Sequence, residues 1–258
     1  MSSYNKLQKF TENETFDCLF QPSMNEVFRC DYKFKNRWKE EVFGNNNPIV
    51  LELGCGKGEY TIALAERNPQ KNFIGIDIKG ARLWKGAKYA QTNGLQNVRF
   101  IRTKIDFIEW IFGRGEISEI WITFPDPQLS RARKRLTSSL FLERYRKFLV
   151  PNGLIHLKTD SKFLHAYTKA LAEQNGFTLH CSSADIYGKA ASDSAPIPEE
   201  ILSVKTFYEQ FYIKMGMKIT YLCFSLPQDS NVAFIEPVWD EKKWREIEEE
   251  GRSHQRIQ

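Results

Sequence analysis

The chain has 258 residues, of which 41% are hydrophobic and 14% aromatic, so it carries enough apolar material for one large core. Its five cysteines are scattered and form no C-x-x-C pair, which argues against a disulfide framework or a zinc site and favours a reducing compartment. No apolar stretch has the length that a signal peptide or a membrane span needs. The sequence therefore predicts a cytoplasmic protein that does not enter a membrane.

The charge balance is uneven along the chain. Lys and Arg number 37 against 32 Asp and Glu, a net charge of +5. The segment 131–147 is rich in basic residues and holds one acidic residue, Glu143. A local excess of this kind is typical of a surface that binds a polyanion, although a solvated helix face can show the same pattern. The basic residues are Arg131, Arg133, Lys134, Arg135, Arg144, Arg146 and Lys147.

In chain order, the sequence divides into an N-terminal extension (1–47), a central domain (48–226) and a C-terminal tail (227–258). The extension ends in the element-breaking run Gly44-Asn45-Asn46-Asn47-Pro48. From there, short apolar runs alternate with amphipathic helical patterns, which predicts an α/β fold with a parallel, doubly wound sheet and helices on both faces. Strands are predicted at 49–53, 73–77, 98–101, 117–123, 154–158, 177–181 and 219–226, and helices at 59–67, 79–92, 137–148, 163–174 and from about Ser203.

The first predicted strand leads into a glycine loop, Gly54-Cys55-Gly56-Lys57-Gly58, and then into a helix. In a doubly wound sheet this turn binds the ligand, and glycine lets the backbone approach it closely. The G-x-G-x-G spacing differs from the G-x-G-x-x-G of dinucleotide sites, and the preceding Glu52 would repel a pyrophosphate. A sulfonium that carries an amino group would instead be attracted. The loop therefore favours S-adenosylmethionine over a nicotinamide dinucleotide.

A second acidic residue, Asp77, closes the second predicted strand. A carboxylate at this place can accept hydrogen bonds from both hydroxyls of a ribose, in dinucleotide enzymes as well, so Asp77 alone does not choose the cofactor. Together, Glu52, the glycine loop and Asp77 resemble the class I, Rossmann-like methyltransferases. The resemblance implies a seven-stranded, mostly parallel sheet whose last strand is antiparallel.

The fourth predicted strand is followed by Phe124-Pro125-Asp126-Pro127, in which two prolines stiffen the chain around one carboxylate. An isolated Pro-Asp-Pro would be interpreted as a turn. Asp126, however, follows the carboxyl end of a strand and precedes the basic segment, which is where catalysis takes place in this fold. On the fifth strand we interpret His156 as a core residue, and Tyr208 is predicted either to stack on a base or to pack.

A more specific resemblance covers residues 49–226, where several motifs follow one another in the order of the bacterial tRNA (guanine-N7-)-methyltransferase family. The motifs are Glu52-Leu53-Gly54, Gly75-Ile76-Asp77, Phe124-Pro125-Asp126-Pro127, Arg133 to Arg135, His156-Leu157-Lys158-Thr159-Asp160 and Thr206-Phe207-Tyr208-Glu209. The family's activity is N7-methylation of a guanine in tRNA, which makes tRNA the expected partner. No metal, membrane or obligate protein partner is implied.

The resemblance also implies roles for individual residues. Asp126 is implied as the catalytic acid, and S-adenosylmethionine is implied to bind Glu52, Gly54, Gly56, Gly58, Asp77, Asp106 and Asp126. The substrate is implied to bind Ser130, Arg131, Asp160, Thr206 and Glu209.

Three positions depart from the family pattern. Gln128 replaces a tryptophan, Ser130 falls on a lysine position for which Arg131 can substitute, and Lys104 falls on an acidic position whose nearest carboxylate is Asp106.

The chemistry of this reaction needs positioning rather than proton removal, because N7 of guanine has an in-plane lone pair and no proton. A carboxylate that accepts hydrogen bonds from guanine N1 and N2 would stabilise the developing positive charge and select guanine over adenine. Asp126 and Asp160 are the first candidates and Glu209 is the third. Two alternatives stay open: a class I methyltransferase with another RNA position or a protein as its substrate, and a non-catalytic RNA-binding subunit.

Overall fold

The computed structural model describes residues 5–188, 196–227 and 232–238, together with residues 240, 242–244, 246 and 248. The strands are β1 (Leu19–Phe20), β2 (Ile49–Leu53), β3 (Asn72–Asp77), β4 (Val98–Arg102), β5 (Ile117–Thr123), β6 (Leu149–Thr159), β7 (Thr178–Ser183) and β8 (Thr220–Ser225). The helices are α1 (Lys6–Asn13), α2 (Met24–Val27), α3 (Glu59–Arg67), α4 (Gly80–Thr92), α5 (Ile108–Ile111), α6 (Ser139–Arg146), α7 (Lys162–Gln174), α8 (Glu199–Ser203) and α9 (Phe207–Lys214).

The strands belong to one mixed sheet in the order β1-β4-β3-β2-β5-β6-β8-β7. Strand β3 pairs in parallel with β2 and β4, whereas β8 runs antiparallel to β6 and β7. All residues of β2 and β3 are buried, which explains why these strands show continuous apolar runs rather than alternation. The predicted α/β class, the mostly parallel sheet and the antiparallel last strand are confirmed.

Three details of the prediction are wrong. The sheet has eight strands rather than seven, because Leu19–Phe20 pairs in parallel with β4 and two residues are too few to show a strand pattern. Strand β6 begins at Leu149, before the predicted start at residue 154, with an irregularity at Asn152 (φ +59°). The helix predicted from about Ser203 is two helices, α8 and α9, because Thr206 caps a new start by accepting a hydrogen bond from the N–H of Glu209 at 3.2 Å.

The chain divides into two compact units. The first contains the chain up to Trp121 and Lys147–Val150. Within it, Trp38 is fully buried and its indole N–H donates to the carbonyl of Ile111 at 3.0 Å. Helix α1 packs on α4, where Glu12 accepts a hydrogen bond from the Trp84 indole at 2.7 Å. Residues of the N-terminal extension therefore contribute to this core, and the domain limit at residue 47 stays a prediction.

The second unit contains Ile122–Arg146 and the chain from Pro151 onward. Helix α7 packs on β8 in this unit. Part of the C-terminal tail belongs to it as well, since the Phe234 ring lies 4.8 Å from Phe177 and Glu236 accepts a hydrogen bond from the N–H of Ser139 at 2.8 Å. In the described part of the chain, every helix is too short or too polar to cross a bilayer.

Candidate functional site

The glycine loop after β2 has a backbone conformation that requires glycine. Gly54, Gly56 and Gly58 have φ angles of +76°, +57° and +71°, where any side chain is strained. The N–H groups of Gly54 and Cys55 donate to the carbonyl of Ile76 at 2.8 and 3.0 Å, which ties the loop to the end of β3. A Cβ on Gly54 or Gly56 would meet no atom within 4 Å. The loop therefore offers bare backbone with open space in front of it.

Close packing is a second reason for glycine around the loop. A Cβ on Gly58 would lie 2.6 Å from the Phe100 ring, and one on Gly86 would lie 2.7 Å from the carbonyl oxygen of Lys57. Sequence reasoning missed Gly86, because its requirement comes from a helix that returns to the loop from further along the chain. Helix α4 and strand β4 thus close directly on the loop.

Glu52 is buried near the end of β2, with 4% of its surface exposed. Its Oε2 accepts hydrogen bonds from the backbone N–H of Thr61, at 2.8 Å, and from the Thr61 hydroxyl. Thr61 lies in the first turn of α3, where the unpaired N–H groups and the helix dipole favour a carboxylate. No local pattern in the sequence marked Thr61 as a partner of Glu52. The result is a buried acid held in one orientation next to the glycine loop.

Asp77 braces the same loop from the end of β3. Its Oδ2 accepts a hydrogen bond from the N–H of Gly56 at 2.9 Å, and its Oδ1 accepts one from the N–H of Lys79 at 2.7 Å. Desolvation, together with the charges of Glu52 and Asp77, raises the pKa of the Cys55 thiol well above its ordinary value. Burial and these two carboxylates therefore favour the neutral form of the Cys55 thiol, which is the less reactive form.

These features fit S-adenosylmethionine. Two buried carboxylates, Glu52 and Asp77, flank a bare loop, which suits a ligand that combines positive charge with a ribose. The further predicted ligand, Asp106, lies half-buried in a single 3-10 turn, Ile105–Phe107, just after β4. Among the residues that the structure describes, no group of three or more His, Cys, Asp or Glu side chains is placed to hold a metal ion.

In the second unit, Asp126 lies exposed in a strained loop. Phe124 and Gln128, on either side of it, both have φ +48°, a conformation that costs a non-glycine residue about 1 kcal/mol or more. The Asp126 Oδ1 accepts a hydrogen bond from the N–H of Gln128 at 3.0 Å, and the N–H of Phe124 donates to the carbonyl of Lys158 at 2.8 Å. Strain of this kind is found where function fixes the backbone. The loop holds the Asp126 carboxylate towards solvent.

The other predicted substrate residues of this unit lie at helix starts. Asp160 is half-buried between β6 and Ser161, and Ser161 caps α7 by accepting a hydrogen bond from the N–H of Leu164 at 3.1 Å. Thr206 caps α9 in the same way. The Phe124 ring lies 6.1 Å from the ring of Tyr212 on α9. The structure therefore brings the Asp126 loop and the helix that begins after Thr206 into contact.

Glu209 is fully buried and lies in an ion pair that the sequence did not reveal. Its Oε1 lies 2.6 Å from the Nζ of Lys158, also fully buried, and accepts a hydrogen bond from the Tyr187 hydroxyl at 2.6 Å. Lys158 Nζ also donates to the carbonyls of Ile201 and Val204 at 2.6 and 3.1 Å. Burial lowers the pKa of Lys158, and the Glu209 carboxylate opposes this shift. The Oε2 of Glu209 is buried without a hydrogen-bond partner in the described part of the chain.

The basic segment 131–147 divides into exposed and packed residues. Ser130, Arg131, Arg133 and Lys134 are exposed. Arg135 is only 1% exposed, because its guanidinium lies over the rings of Phe163 and Tyr167 at 4.7 and 4.5 Å. Arg146 pairs with Glu143, and Lys147 pairs with Glu109. Arg135 is therefore not part of the exposed surface that the charge pattern predicted to bind a polyanion, and this basic surface is narrower than the sequence indicated.

Comparisons with known proteins bear on both units. The family model described as "Putative methyltransferase" matches residues 46–222. The chain is 51% identical over 228 residues to the tRNA (guanine-N(7)-)-methyltransferase of Christiangramia forsetii, covering 88% of this chain and 100% of that relative. It is 47% identical over 228 residues to the protein of the same name from Bacteroides fragilis, covering 88% of each. A solved structure, the 16S rRNA methyltransferase KamB, matches with a TM-score of 0.53 at 17% identity, over 73% of this chain and 92% of that chain.

The sheet and the glycine loop define a class I, Rossmann-like methyltransferase. Within that class, the chain belongs to the tRNA (guanine-N(7)-)-methyltransferase family, as its identity to full-length relatives shows. The family predicted from the order of the motifs is confirmed. The roles assigned to individual site residues stay predictions.

Proposed function

We propose that this protein transfers the methyl group of S-adenosylmethionine to N7 of a guanine in tRNA, and that the target is the variable-loop guanine. The proposal rests above all on the 51% identity to the tRNA (guanine-N(7)-)-methyltransferase of Christiangramia forsetii, over the whole length of that relative. The bare glycine loop between Glu52 and Asp77 supports it. We place the reaction in the cytoplasm, without a metal or an obligate protein partner.

On this proposal, the first unit binds the cofactor, which supplies an electrophilic methyl group when bound. Gly54, Gly56 and Gly58 let the backbone approach the ligand. Glu52 attracts its positive charge and Asp77 accepts hydrogen bonds from the ribose hydroxyls. Asp106 and Asp126 are proposed as further contacts.

The proposed task of the second unit is to orient guanine. Holding N7 in line with the methyl group can lower the barrier by about 7 to 11 kcal/mol. Asp126, which is exposed, and Asp160 are proposed to accept hydrogen bonds from guanine N1 and N2. Glu209 is proposed as the third such residue, and Thr206 fixes the start of the helix that carries it.

The phosphates of the tRNA are assigned to Ser130 and Arg131, both exposed. Such contacts supply affinity but not base choice.

The test is the transfer of labelled methyl groups to unmodified tRNA, followed by nucleoside analysis. We expect a 7-methylguanosine product, its loss in Asp126→Ala and a strong reduction in Asp126→Asn, because the amide lacks the charge. Asp31→Ala is the matched control, since Asp31 is an exposed acid paired with Lys35 on the surface. Undiminished transfer by Asp126→Asn would remove the role of this carboxylate. Cofactor binding without tRNA methylation would indicate another substrate, and no cofactor binding would indicate a non-catalytic subunit.

A further inference from the structure

A pocket of about 360 Å³ opens beside the cofactor residues of the first unit. One side is formed by the residues that follow β3 and β4, among them Ile78 and Thr103, and the other side by residues of the segment 21–27. We call this segment the N-terminal wall. The volume lies in the range of pockets that take small ligands, about 300 to 1,000 Å³.

The pocket is lined by two residues next to Asp77, Ile78 and Thr103. Ile78, which lines it, is the next residue in the chain, and the N–H of Thr103 donates to the Asp77 carbonyl at 3.2 Å. If the Asp77 carboxylate binds the ribose hydroxyls of a ligand, the base attached to that ribose would therefore lie on the side of this pocket.

The lining is mixed, and its apolar part includes large exposed side chains. Met24 and Ile78 are 57% and 52% exposed, which is unusual for large apolar side chains at a concave surface, and Phe107 lines the same pocket. Apolar and aromatic side chains of this kind suit the faces of a flat, weakly polar ring. Gln21 and Thr103 add polar groups that can reach the edge of such a ring.

The wall is fixed rather than loosely placed. It follows β1, which pairs with β4, and the Gln21 amide oxygen accepts a hydrogen bond from Arg102 at 3.3 Å. Ser23 and Glu26 form a capping box at the start of α2. The next residue beyond the wall, Phe28, packs edge-on against Phe107 at 5.7 Å.

We propose that the N-terminal wall forms one side of the binding pocket for the adenine ring of the cofactor, with Met24 on one side and Ile78 on the other. The wall precedes residue 46, where the match to the family model begins, so it lies outside the region that the family model covers. The inference rests on the proposed use of S-adenosylmethionine. Arg102 and Lys104 also line the pocket, so an RNA phosphate is the competing occupant.

Hydrogen–deuterium exchange on the full chain, with S-adenosylhomocysteine as the probe, tests the proposal. We expect exchange to slow by about tenfold both in residues 21–28 and in residues 52–58 of the glycine loop. Slowing in 52–58 alone would overturn the role of the wall and leave the cofactor proposal standing. No slowing in either segment would overturn both. Slowing in 21–28 with tRNA but not with S-adenosylhomocysteine would assign the pocket to phosphate.

A matched pair of variants tests the same point by calorimetry. Met24→Glu replaces an exposed apolar side chain with a charge that the ring would have to desolvate, so the Kd for S-adenosylhomocysteine should rise by about tenfold. Leu7→Glu makes the same change at a side chain that is 76% exposed on α1 and does not line the pocket, so it should bind as the parent protein does. Equal Kd values for the two variants would overturn the proposal.

Discussion

Lys158 and Glu209 form an ion pair at 2.6 Å with both side chains fully buried. The pair links β6 to α9, and the hydrogen bonds from Lys158 to Ile201 and Val204 link the same ammonium group to α8 and its end. Attraction between two buried charges offsets their desolvation only while both are present. One lysine therefore holds two helices of the second unit in place.

Replacing Lys158 should consequently destabilise the protein. Lys158→Met leaves the Glu209 carboxylate buried without its cation, which we expect to lower the free energy of unfolding by about 3 to 5 kcal/mol. In the double variant Lys158→Met/Glu209→Gln no charge remains, so part of the loss should be recovered. Urea unfolding measures both. If the double variant loses as much as the two single variants together, the side chains are not coupled.

Replacement by alanine should have different effects on stability and on ligand binding at different glycines of the loop. Gly56→Ala and Gly58→Ala both put a side chain at positive φ, at a cost of about 1 to 2 kcal/mol each. Gly58→Ala also drives its Cβ against the Phe100 ring, so it should be the less stable of the two in thermal unfolding. Gly56→Ala meets open space, so its main effect should be weaker binding of S-adenosylhomocysteine by calorimetry. Unchanged binding would mean that the ligand does not approach this face of the loop.

Arg133 and Arg135 form a second contrasting pair. Arg133 is exposed, so Arg133→Ala should leave stability unchanged, weaken tRNA binding and reduce the slope of log K against log salt concentration by about 1. Arg135 is buried over two aromatic rings, so Arg135→Ala should lower the free energy of unfolding by about 2 kcal/mol. Filter binding at several salt concentrations and urea unfolding separate the two effects. A stable Arg135→Ala variant with a reduced salt slope would contradict this assignment.

Cys18 should make the free energy of unfolding decrease as the pH rises through the alkaline range. Desolvation raises the pKa of its thiol from 9.0 to about 11, while the charge of Arg99 opposes the shift. In the unfolded chain the thiol ionises at a lower pH than in the folded protein. The stabilisation that the buried neutral thiol contributes is therefore fully present below pH 9.0 and is lost as the pH rises towards about 11. The total loss is about 2 to 3 kcal/mol.

The variant Cys18→Ala should remove this part of the pH dependence, measured as the difference between unfolding free energies at neutral and alkaline pH. Cys30→Ala, at an exposed cysteine, is the control and should keep the slope of the parent protein. Parallel pH profiles for all three proteins would show that Cys18 is not the source.

The sequence by itself determined the elements that depend on local rules. Strands β2 and β5 and helix α3 lie where apolar runs and helical spacing predicted them, because a buried parallel strand and an amphipathic helix each leave a local pattern. The glycine loop was visible because only glycine tolerates its backbone angles. The order of several motifs was enough to indicate the family.

Only the tertiary structure decided what each charged or polar side chain does. Arg133 and Arg135 stand in one basic run, yet one faces solvent and the other packs on rings supplied by α7. His156 is buried with its Nδ1 2.8 Å from the Tyr221 hydroxyl, as a core residue should be, but its partner comes from β8. Lys158 pairs with Glu209, which lies about 50 residues further along the chain. Met24 and Ile78, also far apart in the chain, line the same pocket. The partner of a charged or polar side chain is set by its neighbours in space, and the periodicity of a single segment does not identify that partner.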